Sequence, residues 1–144
     1  MRHTKLLSWI GLALGAVYLT MVVLVVVLSN LVYERPQDLP SWINLEGLVL
    51  GAPFILVPLL AVALLLRSSN SLWRSLAGIF ALLVAGYFFL GDVVGTLAGG
   101  WQFITSYGNY LAINVPLIAY YVVVSWTTLL HRTAPKAPLT PMTS

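Results

Sequence analysis

Cysteine is absent from the 144 residues, so the chain has no disulfide, no thiolate nucleophile and no thiolate-held iron–sulfur cluster. Charge is scarce as well: Asp, Glu, Lys and Arg make up 8% of the chain, against about 25% in an average soluble domain. So little polar surface is a poor match to water. Histidine occurs twice, as His3 and His131, and neither has a second ligand at metal spacing. Neither lies inside a long apolar run, which removes an axial haem pair within a bilayer. There is no glycine-rich phosphate loop. Ser8, Thr20, Ser125 and Thr127 have no acid or histidine close in sequence to activate them as nucleophiles. No metal, no cofactor and no catalytic set is expected.

What the chain has in excess is apolar: 60% of its residues are hydrophobic and the mean hydropathy is +0.94. A bilayer core about 30 Å thick takes roughly 20 helical residues at 1.5 Å each. Four stretches reach that length, at residues 6–28, 45–66, 72–90 and 110–130. Strands of a membrane barrel would alternate in polarity, whereas Val22 to Leu28 is apolar throughout. The expected fold is therefore an all-α membrane protein, a four-transmembrane-helix antiparallel bundle formed by residues 1–132. Residues 133–144, with Pro135, Pro138 and Pro141 among Thr and Ser, are expected to be a disordered tail.

The first stretch follows Arg2 and Lys5 as a secretory leader would. Its apolar run exceeds a leader's and no small-residue cleavage pattern follows, so a retained helix is expected. The third stretch is the shortest after Arg74, and Val93, Val94 and Leu97 offer it an extension beyond Asp92. The connection at residues 91–109 carries five glycines among apolar residues. It is expected to lie in the membrane interface or to prolong the third helix.

Direction comes from the loops. Arg2, Lys5, Arg67, Arg74, Arg132 and Lys136 fall on one side of a four-span chain, with Arg35 alone opposite. Glu34, Asp38, Glu46 and Asp92 all fall on Arg35's side. Lysine and arginine accumulate on the cytoplasmic face, so both termini are expected there, in a plasma (inner) membrane. Aromatic residues agree: Trp9, Trp73 and Trp126 sit at the basic ends, and Tyr33, Trp42, Trp101, Tyr107 and Tyr110 at the acidic ends. Scattered single bases beside apolar segments are no phosphate-binding surface, so no nucleic-acid partner is expected.

Two kinds of position stand out. Gly11/Gly15 and Gly47/Gly51 form G-x-x-x-G pairs, and Ala77, Ala81 and Ala85 recur every four residues. Small residues on one helix face let backbones approach closely where lipid supplies no hydrophobic drive. Either the chain's own helices or another membrane subunit, a second copy included, would use these faces. Pro53 and Pro58 interrupt the second span, and Pro116 the fourth; each removes an N–H and frees the carbonyl four residues earlier. The second kind is a polar grouping in the outer half: Glu46, Asp92, Tyr110 and Asn114, with Trp101 as a wall, suited to a cation or amine.

The residue patterns of several small four-helix families are absent. Vitamin K epoxide reductase-like proteins need a cysteine pair, small multidrug transporters a glutamate in the first span, and glutathione-handling four-helix enzymes Arg and Glu within their helices. The reading that follows is a non-catalytic accessory or structural subunit of a membrane complex, whose partners are the bilayer and other membrane chains. The alternative is a small-molecule or ion-handling protein using the outer polar grouping.

Overall fold

The computed structural model describes residues 2–32 and 45–130, with side chains for residues 3–31, 49–100 and 113–130. Every element among them is helical: α1 spans Arg2–Val32, α2 Leu45–Arg67 and α3 Ser71–Leu129. Helix α3 is two helices joined at a break. Gly100 has φ 55° and ψ −142°, a left-handed conformation in which a side chain would collide with the backbone. We refer to residues 71–99 and 101–129 as its first and second limbs.

Three helical segments are long and apolar enough to cross a membrane: His3–Leu31, Val49–Arg67 and Ser71–Gly100. They point to a membrane location. A shorter apolar helix, Ile113–Leu129, lies in the second limb. The third apolar segment takes the longer of the two courses that the sequence offered: the helix continues past Leu90 through Gly91 and Asp92 to Gly100. Glycine lowers helix propensity by about 1 kcal/mol without forbidding the conformation. Here Val93, Val94 and Leu97 continue the apolar pattern, and the Thr96 hydroxyl donates to the Asp92 carbonyl at 2.7 Å. Residues 91–109 are thus helix on both sides of Gly100, and the third helix is prolonged as far as that residue. Helix α1 likewise outruns its expected end at Leu28: Ser29 and Asn30 both donate to the Val26 carbonyl and are absorbed into the last turns.

The prolines do not break α2. The helix is continuous from Leu45 to Arg67 through Pro53 and Pro58. The turn at residues 68–70 is short, and Asn70 caps the next helix by accepting from the Leu72 N–H at 2.8 Å. The connection at residues 33–44 and the tail at residues 133–144 lie outside the described residues.

Contacts advance along one helix as they retreat along its neighbour. Ser8 of α1 meets Ala63 of α2, Gly15 faces Leu56 and Leu59, and Gly51 faces the Tyr18 hydroxyl. Within α3, Gly78 meets Ser125 and Thr128, while Asp92 meets Asn114 beyond the Gly100 break.

The exterior is as apolar as the interior, unlike that of a water-soluble protein. Fully enclosed positions mix small residues, Ser8, Ala63, Ala77 and Ala81, with larger ones, Leu59, Leu66 and Tyr121. The outside is bulky and apolar, with Leu31 77% and Val17 69% exposed. Such a surface suits hydrocarbon and would aggregate in water.

Candidate functional site

The small residues differ in what stands against them. A methyl added at Gly11 would overlap the Tyr120 hydroxyl and lie 2.8 Å from the ring's Cζ, so α1 and the second limb touch because Gly11 has no side chain. Gly15 is different. A methyl there would make ordinary 3.8 Å contact with Leu56 and Leu59 of α2. The two glycines of the first G-x-x-x-G pair therefore face different partners. In the second pair, Gly51 leaves 4.0 Å to the Tyr18 hydroxyl, and Gly47 lies outside the described side chains. Ala77, Ala81 and Ala85 are all buried in the core.

Gly78 was not singled out by the sequence, yet its surroundings are as tight as those of Gly11. A methyl there would overlap Thr128 and press on Leu129. Its carbonyl accepts from the Ser125 hydroxyl at 2.9 Å, and that hydroxyl also contacts the Tyr121 carbonyl at 2.8 Å. The missed clue was position: Gly78 lies three residues before Ala81, on an adjacent strip of the same small face.

The hydroxyls first considered as nucleophiles are all engaged with backbone carbonyls. Thr20 donates to Ala16 and Thr127 to Val123 or Val124. Ser8, buried between helices, donates to the Ala63 carbonyl at 2.8 Å and accepts from the Arg67 Nε at 3.1 Å. The Arg67 guanidinium lies 4.7 Å from the centre of the Trp9 ring, a cation–π distance. Arg67 is also the last residue of α2, where a positive charge complements the helix dipole. Sequence reading placed Arg67 only by its sign; that it clamps α1 to α2 depends on a contact 59 residues apart.

Of the outer polar grouping, the structure brings Asp92 and Asn114 together. The Asn114 amide donates to Asp92 Oδ1 at 2.9 Å, across the two limbs of α3. Glu46, Trp101 and Tyr110 fall outside the described side chains. The pair lines a cavity of about 510 Å³ with Tyr87, Phe88, Leu90 and Val94. A second cavity of about 470 Å³ lies between α2 and the first limb, bounded by Pro53, Phe54, Pro58, Phe80, Tyr87 and Phe88. The two cavities, both open to the surface, adjoin at Tyr87 and Phe88. Among the described residues no cluster of three or more His, Cys, Asp or Glu side chains could hold a metal ion.

Comparison of the chain with protein-family models, with curated proteins and with solved structures finds no match.

Proposed function

We propose that the chain is a four-span integral membrane protein and a non-catalytic accessory or structural subunit of a larger complex in the plasma (inner) membrane. The four helices run antiparallel to their neighbours, with both termini on the cytoplasmic side. One observation carries the subunit reading: the described hydroxyls Ser8, Ser125 and Thr128, buried between helices, all donate to backbone carbonyls. These hydroxyls are spent on packing, and the outer surface is apolar. The antiparallel order is supported by the contact ladders from Ser8–Ala63 to Gly51–Tyr18 and from Gly78–Ser125 to Asp92–Asn114. The direction is supported by the six bases on one side. Affinity purification of the tagged chain from its native membrane in mild detergent tests the role. The expected result is a second membrane protein at constant ratio through size exclusion; recovery of this chain alone contradicts it.

A second reading is favoured by a specific observation, the Asp92–Asn114 pair in the wall of a cavity of ligand size. In this reading the chain handles a small cationic or amine ligand at Asp92, in the outer half of the membrane.

A further inference from the structure

We propose that the two adjoining cavities act as one groove from Phe80 to Asp92 and bind an amphiphilic monocation, a long-chain ammonium compound, with its headgroup at Asp92 and its apolar tail between α2 and the first limb of α3. The inference rests on the second reading above and names the ligand class that the site takes.

The groove is built along one helix face. Phe80, Val84, Tyr87, Phe88 and Asp92 recur at three- and four-residue spacing, which aligns them in one stripe. From Phe80 to Asp92 the helix rises about 18 Å at 1.5 Å per residue, a length that suits an extended chain rather than a compact solute. The opposite wall is α2, where Pro53 and Pro58 stand beside Phe54 and Val57. Along most of this length the lining is aliphatic or aromatic.

Only the outer end is polar. Asp92 is half-buried, its neighbours in the cavity are Leu90, Val94 and Phe88, and Asn114 donates one hydrogen bond to one of its oxygens. A carboxylate has capacity for about four such bonds. Among the described residues no basic side chain forms an ion pair with it. An ionised group partly withdrawn from water into an apolar wall is stabilised most by an opposite charge. Tyr87, an aromatic residue shared by both cavities, lines the wall beside the same headgroup position. The groove thus joins a carboxylate to an apolar slot, the complement of an ammonium on an alkyl chain. A phosphate headgroup on the same chain would meet the carboxylate with like charge.

The test uses the full-length chain in neutral phosphatidylcholine nanodiscs, with tritiated dodecyltrimethylammonium as probe and empty nanodiscs as the background. Saturable binding at one site per chain is expected. Asp92→Asn is expected to weaken it at least tenfold. Leu83→Trp, which fills the slot from an exposed position on its wall, is expected to weaken it similarly while leaving tetramethylammonium competition at Asp92 unchanged. Helicity and size-exclusion profile confirm that each variant folds. Competition by dodecyl phosphate equal to that by unlabelled probe, or unchanged binding in Asp92→Asn, overturns the proposal. Tetramethylammonium competing as well as the long-chain probe overturns the amphiphile class but leaves a cation site at Asp92. Absence of saturable binding by either cation removes both.

Discussion

Gly11→Ala lowers the stability of the folded chain by about 1–3 kcal/mol, the usual cost of overpacking, whereas Gly86→Ala leaves it unchanged or slightly raised. The pair isolates contact from backbone propensity. Alanine is the better helix former at both positions, by up to about 1 kcal/mol. At Gly86 nothing lies within 4 Å of the added methyl, so only that propensity acts. At Gly11 the methyl meets the Tyr120 hydroxyl and ring, and Tyr120 is itself buried against Tyr121, with ring centres 5.3 Å apart. To relieve the overlap, either the ring shifts into the cavity that it lines with Leu14 and Pro116, or α1 moves away from the second limb; each disturbs the packing. Unfolding in mixed micelles of rising dodecyl sulfate content measures the difference. A second substitution, Tyr120→Ala, should make Gly11→Ala nearly neutral in that background, because the clash is then gone. Equal effects at Gly11 and Gly86 would show that α1 does not contact the second limb there.

Ala81→Leu is expected to be at least as damaging, and Leu82→Ala nearly silent. Ala81 is fully enclosed between its neighbours Ala77 and Ala85 on the first limb's inner face, whereas Leu82, one residue on, is 54% exposed. A leucine at Ala81 adds three carbons at a position with no exposed surface; costs of about 1–3 kcal/mol are typical and larger ones occur. Trimming Leu82 removes carbons that face outward, and exposed substitutions stay within about 0.5 kcal/mol. The same micelle titration reads both. A reversed order, with Leu82→Ala the worse, would mean that the first limb presents its other face to the bundle.

How far these features were legible in the residues depends on their range. Helical character followed from composition and run length, because backbone groups in hydrocarbon must be satisfied within the segment. The alanine spacing at 77, 81 and 85 pointed to a face that the structure buries. Helix ends were less legible. Gly91 and Asp92 left an interfacial stretch and a longer third helix equally open, and the structure carries the helix through Thr96 to Gly100. One glycine among several takes the left-handed conformation, and composition does not mark which. Pairings across the chain were hidden as well: Ser8 with Arg67, Gly11 with Tyr120 and Gly78 with Thr128 depend on helix rotation. The Asp92–Asn114 contact was anticipated only as membership of a larger group, because placing both at the outer end does not set their register.

The absence of cysteine allows a direct test of the four-crossing account, since every introduced thiol is then unique. Ser69→Cys, Gln37→Cys and Ser144→Cys are expressed singly and exposed to a membrane-impermeant maleimide, in intact cells and again after lysis. Four crossings predict that Ser69→Cys and Ser144→Cys label only after lysis and that Gln37→Cys labels in intact cells. Labelling of Ser144→Cys in intact cells, with Ser69→Cys still protected, would mean that the second limb of α3 does not cross and would contradict the account.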